Sequence, residues 1–376
     1  MNVLFVFGTR PEAIKLCPVV DYLRRRADDF QVQVCVTAQH RGLLDQVLDI
    51  FAVQPDFDLD IMRPGQTLLE STSRILAGLE DVLQQARPDC VAVQGDTIST
   101  FCGALAAFYH RIPVVHIEAG LRTGNLRHPF PEEANRLLTA RLTALHFPPT
   151  EDAAANLRRE GVPPEQIVVT GNTGLDALLQ VHAKLQTGEL PKPAWPAEWN
   201  GKRLVLVTCH RRESFGAGLA RICQALSQLA QRPGIQLVYP VHPNPQVRFT
   251  VERWRDEQGL GNRLALIEPQ PYVAFVDLMS RAHFILTDSG GVQEEAPSLG
   301  TPVLVMRETT ERPEAIAAGT SRLVGTDPEQ IVAEASLLLD DSAEYERRSR
   351  IHNPYGDGQA SMRIAQALLA STALQR

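Results

Sequence analysis

The chain has 376 residues, 44% of them hydrophobic and 22% charged, with a formal net charge of −7. That length exceeds the roughly 250–300 residues one hydrophobic core serves, so two domains are expected. The acidic balance argues against non-specific nucleic-acid binding, which needs a basic surface, and no apolar run approaches the ~20 residues of a membrane span.

The cysteines Cys17, Cys35, Cys90, Cys102, Cys209 and Cys223 form no CxxC pair and sit mostly in apolar runs. They read as small buried hydrophobes of a reducing compartment, not as disulfides or zinc ligands. The apolar run at residues 3–7 is too short for a secretory leader and lacks a basic start. A soluble, cytoplasmic protein is expected.

In chain order, residues 3–7 predict a first strand. Gly8-Thr9-Arg10-Pro11-Glu12 turns it into a helix to about residue 26, with Thr9 and Glu12 at capping-box spacing and Pro11 in the first turn. Strand 32–37, helix 41–51 and a long amphipathic helix 67–85 follow. Strand 90–93 ends in Gly95-Asp96-Thr97 and a helix to about residue 109. Strand 113–117 ends in Glu118-Ala119-Gly120-Leu121-Arg122-Thr123-Gly124. Helix 131–142, strand 144–147, helix 152–160, strand 167–170 and a helix from about residue 173 complete the first half. The strands are continuous apolar runs separated by helices, which signals a parallel sheet covered on both faces. In such sheets ligands sit at the carboxyl ends of the strands, and residues 8–15, 95–96 and 118–123 all fall there.

Residues 188–202 carry Pro191, Pro193 and Pro196 and read as a linker stiffened by proline. The alternation then restarts. Strand 204–208 enters His210-Arg211-Arg212-Glu213-Ser214-Phe215-Gly216 and a helix to about residue 230. Strands 236–239 and 264–267 lead into His242 and Gln270. Strand 284–286 runs through Ser289, Gly290 and Gly291 into a helix ending near Gly300, then strand 303–306. Glycines at a helix start let the backbone approach a ligand, and free N–H groups there attract anions. A carboxylate one turn further, at Glu294 or Glu295, can accept hydrogen bonds from ribose hydroxyls. Helices 329–340, 343–350 and 360–374 end the chain. The pentapeptide Arg-Pro-Glu-Ala-Ile occurs at residues 10–14 and again at 312–316.

The chain has no GxGxxG after its first strand, no GxxxxGK[ST] and no GxSxG, so the standard dinucleotide, ATP and serine-hydrolase sites are not expected. Its histidines and cysteines lack metal spacing. What remains at strand ends is charge: Arg10, Lys15, Asp96, Glu118, Arg122, Glu132, Glu133, His210, Arg211, Arg212, His242 and Arg312. Carboxylates beside a histidine suit proton transfer. Bland readings stand beside this one. Asp96 could cap the helix at Thr97, Glu132 and Glu133 could serve a helix dipole, and His242 could stiffen a turn.

The motif set resembles the non-hydrolysing UDP-N-acetylglucosamine 2-epimerases of bacteria. The resemblance rests on residues 8–15, 95–97, 118–124, 131–136, 210–216, 287–302, 310–314 and 353–358, in that family's order. It implies two Rossmann-like α/β domains facing across a cleft, of the glycosyltransferase-B type. The expected boundaries are 1–187, a linker 188–202, 203–357, and a helix 358–376 packing back on the first domain. It implies a homodimer, UDP-N-acetylglucosamine and UDP as ligands, and no cofactor or metal. Asp96, Glu118, Glu132 and His210 match its catalytic positions. Arg10, Lys15, Gln270, Phe275, Ser289, Gly290, Gly291, Glu295 and Arg312 match its UDP-sugar contacts. Gln39, Gln46, Gln66, Arg211 and His242 match a second, activating nucleotide-sugar site, although Gly65 stands where some relatives carry an arginine.

The implied reaction inverts C2 by expelling UDP to give a 2-acetamidoglucal and adding it back. A hydrolysing epimerase, a retaining glycosyltransferase and a nucleotide-sugar sensor are the rival readings.

Overall fold

The computed structural model describes residues 1–37, 41–63, 65–209, 211, 216–242 and 244–374. They form two compact units, one comprising Met1–Ala177 with Gly356–Arg376, the other Leu178–Tyr355. The first unit alternates β1 (Asn2–Phe7), α1 (Arg10–Arg24), β2 (Gln31–Val36), α2 (Arg41–Ile50), β3 (Phe57–Asp58), α3 (Leu68–Ala86), β4 (Cys90–Gln94), α4 (Ile98–Tyr109), β5 (Val114–Ile117), α5 (Glu132–Leu142), β6 (Leu145–Phe147) and α6 (Glu151–Arg159). Helix α7 (Thr173–Thr187) carries the boundary between the units. The sheet is parallel, in the order β3-β2-β1-β4-β5-β6.

The second unit contains β7 (Arg203–Thr208), α8 (Ala217–Ala230), β8 (Ile235–Pro240), α9 (Pro245–Glu257), β9 (Leu264–Ile267), α10 (Tyr272–Arg281), β10 (Ala282–Thr287), α11 (Gly290–Glu295), β11 (Val303–Val305), α12 (Pro313–Ala318), β12 (Ser321–Leu323), α13 (Pro328–Asp340) and α14 (Ser342–Ser349). Its parallel sheet runs β12-β11-β10-β7-β8-β9, which is the connectivity of the first sheet repeated. Both units are therefore Rossmann-like, with the order reversing between β1 and β4 in one and between β7 and β10 in the other.

Central strands are apolar on both faces because helices cover both. Residues 3–7 of β1 and 284–286 of β10 are wholly buried. Around the first sheet, Leu4, Val6, Ile75, Leu79, Val91 and Val93 pack together. Around the second, Val205, Val207, Ile222, Leu226, Leu237 and Leu286 do so. All six cysteines are free and buried. Among the described residues, no helix is long and apolar enough to cross a membrane and no His/Cys/Asp/Glu cluster could hold a metal ion.

The expected strand at residues 167–170 shrinks to a single bridge from Ile167 to His146. Thr170 still donates its N–H to Pro148 O, so the segment follows β6 without forming a ladder. Residues 188–202 pack within the second unit. Trp195 stacks on Trp199 at 5.7 Å between ring centroids and donates its indole N–H to Asp277 at 2.6 Å.

Helix α15 (Ala360–Ala370) returns to the first unit. The buried Asp176 carboxylate accepts the N–H groups of Ala360 (3.2 Å) and Ser361 (2.8 Å), satisfying two orphan donors of that helix start.

Candidate active site

In the first unit the turns after β1 and β4 flank the point where strand order reverses. Gly8 opens the first turn. A Cβ there would overlap the Thr37 hydroxyl and lie 2.6 Å from Ser99 Oγ, so only glycine lets this backbone lie so close. Thr9 caps α1, and Arg10 is half-buried at its first position. One turn on, Lys15 Nζ reaches both carboxylate oxygens of Glu118 at 2.5 Å. Gln94, the last residue of β4, donates its side-chain amide to the same carboxylate. Glu118 itself has φ of 59°. That left-handed conformation is costly for a residue with a side chain, and it is held here from two sides.

Asp96 does not cap α4; Thr97 does, its hydroxyl accepting the Thr100 N–H at 3.2 Å. Asp96 instead accepts Arg136 Nε (2.9 Å) and Nη2 (2.7 Å) on one oxygen, while Asn135 Nδ2 donates to its carbonyl at 2.8 Å. Arg136 Nη1 also donates to Glu133 at 2.9 Å, and Glu133 accepts the N–H groups of Thr123 and Gly124. Burial opposes the charge on Glu133, but those N–H groups and the guanidinium outweigh it and hold its carboxyl below the usual range. Glu132, its neighbour, is instead half-exposed, and its side chain makes no hydrogen bond or ion pair among the described residues. Asp96 and Glu132 line one pocket of about 220 Å³ together with Thr9 and Asn135.

Behind these groups His116 Nε2 bonds Gly95 O at 2.7 Å. Burial pushes its imidazole down to about 4, and burial likewise pushes His146, its partner across β5 and β6, down to about 3. Both rings are neutral near pH 7.

In the second unit the turns after β7 and β10 flank the corresponding reversal. Arg211 donates its N–H to Asp288 at 2.8 Å, and Ser289 donates its N–H to Thr287 Oγ1 at 2.9 Å. A Cβ built on Gly290 would lie 3.7 Å from the Arg312 guanidinium and 3.8 Å from that of Arg211, while Gly291 faces open space. Two guanidinium groups and a glycine helix start thus converge on one spot, a composition suited to an anion. Arg312 is aimed by Glu294, and Arg211 by Glu311 at 3.2 Å. Glu295 is half-exposed on α11. Phe275 is half-buried on α10, and Gln270 donates to Glu268 O at 2.6 Å just before that helix.

His210 and Gln39 lie outside the described residues. Gln46 is exposed on α2, Gln66 accepts Arg74 Nη1 at 3.3 Å, and His242 is exposed with Nδ1 accepting the Asn244 N–H at 3.1 Å. Of this proposed second-site set, Gln46 and Gln66 belong to the first unit, Arg211 and His242 to the second.

The family model described as UDP-N-acetylglucosamine 2-epimerase matches residues 23–369. The chain belongs to the UDP-N-acetylglucosamine 2-epimerase family. It is 56% identical over 373 residues to the UDP-N-acetylglucosamine 2-epimerase of Salmonella typhimurium, covering 98% of each chain. It is similar to the crystal structure of UDP-GlcNAc 2-epimerase from Neisseria meningitidis bound to UDP-GlcNAc, with a TM-score of 0.85, 49% identity, and 99% and 100% of the two chains covered. It is also similar to the Methanocaldococcus jannaschii UDP-GlcNAc 2-epimerase in complex with UDP-GlcNAc and UDP, with a TM-score of 0.75, 32% identity and coverage of 99% and 100%.

For this member of the epimerase family, sequence reasoning missed the contacts of Arg136 with Asp96, of Gln94 with Glu118, and of Glu12 with Thr97 and Thr100. Arg136 stands one turn after Glu132 and Glu133 on α5, a spacing that places them on one face. That spacing was the available signal, though nothing in it points to Asp96.

Proposed function

We propose that this chain interconverts UDP-N-acetylglucosamine and UDP-N-acetylmannosamine without releasing the sugar from the reaction cycle, and so supplies N-acetylmannosamine units for surface polysaccharide. The C2 proton is not next to a carbonyl, so direct abstraction is very hard. Departure of UDP solves this. The C1–O bond breaks with its electron pair going to the diphosphate, a carboxylate takes the C2 proton, and a C1=C2 double bond forms. Protonation of C2 from the other face and return of the diphosphate oxygen to C1 complete the inversion. Atoms and electrons balance with no net oxidation, so the step needs no redox carrier.

The Ser289–Gly290 turn, Arg312 and Arg10 stabilise the leaving diphosphate, His210 helps hold its charge, and Glu295 receives the ribose hydroxyls. Gln270 and Phe275 frame the uracil. Glu118, fixed by Lys15 and Gln94, takes the C2 proton, and Asp96 and Glu132 serve the opposite transfer from their shared pocket. The active assembly in this proposal is a cytoplasmic homodimer. The observation that carries the reading is the meeting of Lys15 with Glu118 beside the Asp96–Glu132 pocket at the carboxyl ends of β1, β4 and β5.

The test is incubation with UDP-N-acetylglucosamine in D2O. Deuterium at C2 in both epimers, with UDP still attached, is expected. Stoichiometric free UDP and free sugar would instead make the chain a hydrolysing enzyme, and an unlabelled C2 would end the proposal.

A further inference from the structure

The buried carboxylate of Glu12 takes no part in the chemistry above, yet three donors converge on it and a fourth group, a hydroxyl, lies within reach. Oε2 accepts the N–H groups of Gly8 (3.0 Å) and Thr9 (2.8 Å); Oε1 meets the hydroxyls of Thr97 (2.6 Å) and Thr100 (3.2 Å). The residue is 1% exposed. Burial pushes its carboxyl above the usual range despite the bonds from Thr97, Gly8 and Thr9.

Capping a helix does not require this. Helix α3 closes the same box with Glu70, an exposed carboxylate whose hydrogen bonds among the described residues come from Thr67 alone. Bonds to Thr97 and Thr100, 85 and 88 residues away, therefore serve another end.

What Glu12 joins is specific. Its helix carries Lys15, which holds Glu118. Thr97 follows Asp96 directly and caps α4. The one proton of the Thr100 hydroxyl is shared between Glu12 and Gln94 O, the latter at 2.6 Å, and the Gln94 side chain holds Glu118. One carboxyl thus ties the turn after β1 to the turn after β4, across the reversal of strand order.

We infer that Glu12 is a positioning residue, which sets the spacing between the Lys15–Glu118 pair and Asp96. This rests on the proposed roles of Glu118 and Asp96. The hydroxyl groups it meets can turn to accept as well as donate, so an amide of the same length can occupy the site. A carboxylate one methylene shorter cannot reach both turns.

The experiment compares full-length Glu12→Asp, Glu12→Gln and Glu118→Gln for kcat, KM, UDP affinity by calorimetry, and thermal unfolding. In folded Glu12→Asp, kcat falls on the order of 10²-fold, the cost of a displacement of about 1 Å at a reacting pair. UDP affinity stays near that of the parent protein, since most proposed nucleotide contacts lie in the other unit. Glu12→Gln recovers most of the lost turnover. A purely structural role would lower the melting temperature and leave kcat per folded molecule unchanged, and that result overturns the inference. So does Glu12→Gln being as slow as Glu12→Asp.

If Glu12→Asp does not fold, Thr100→Val removes one of the two hydroxyl links and must lower kcat without changing UDP affinity; unchanged kcat refutes the idea. Glu118→Gln separates the two levels. Full activity there removes the catalytic reading itself, whereas an inactive Glu118→Gln beside a fully active Glu12→Asp removes only the role of Glu12.

Discussion

Glu118 concentrates the residue-scale argument. Its φ of 59°, its salt bridge with Lys15 and its bond from Gln94 fix a carboxylate where a free loop residue would wander. Glu118→Gln keeps the shape and the Gln94 neighbour but removes the proposed proton acceptor. Turnover is expected to fall by about 10²–10⁴-fold, the range for losing a general base, with UDP affinity unchanged by calorimetry. In the proposed reaction Arg312 belongs to the other half of the chemistry. Arg312→Ala should weaken UDP binding at least tenfold, since hydrogen bonds to charged groups are worth about 1.5–3 kcal/mol. Unchanged affinity would take Arg312 out of the phosphate site. At this scale the sequence was readable where partners are close in the chain. The Thr9–Glu12 box was visible from spacing alone. The reach of Glu12 to Thr97, or of Arg136 to Asp96, was not, because only the fold sets which turns meet.

At the scale of elements, β5 and β6 bring His116 and His146 side by side, both neutral and buried. The sign of the consequence follows from their depressed values. The unfolded chain binds protons as pH falls below about 6.5, while the folded chain refuses them until about 4 and about 3. Stability present above pH 6.5 is therefore lost as the solution is acidified towards those values, by about 2 kcal/mol per histidine at pH 5. Urea midpoints at pH 7 and pH 5 measure it, and His146→Leu should show the smaller decline; an equal decline would contradict the burial argument. Helix α15 offers a second test. Asp176→Ala strands the Ala360 and Ser361 N–H groups and should destabilise the first unit by about 1–3 kcal/mol.

Element by element, long apolar runs were easy to read, as β1, β4, β7 and β9 illustrate. Helices α9, α10 and α12 were not expected, because each begins at or beside a proline, at Pro245, Pro271 and Pro313, that reads equally well as a loop. Strand β3 has two residues, too few to carry a pattern.

For the whole molecule, the two sheets share one strand connectivity although the sequence hints at repetition only in the pentapeptide Arg-Pro-Glu-Ala-Ile. Its two copies now have positions. Arg10 starts α1 after β1, and Arg312 precedes α12 after β11, so each places an arginine at a strand-to-helix turn. The copies are not equivalent within their sheets. Glu12 is clamped by backbone and hydroxyl donors, whereas Glu314 receives the Tyr355 hydroxyl at 3.1 Å. Parallel architecture in both halves was legible from unbroken apolar strands between helices. Topology was not, since strand order depends on which edges pair and no local pattern encodes that.

The six buried thiols have a consequence for handling and measurement. Burial pushes Cys35, Cys90, Cys102 and Cys223 up to about 12 and Cys17 higher still. A thiol alkylates as its thiolate and only when a reagent can touch it, so the intact protein resists labelling. Cys17, Cys35, Cys90 and Cys102 mark one unit, Cys209 and Cys223 the other. Peptide-resolved alkylation over time would therefore clock how often each half opens, with no added probe.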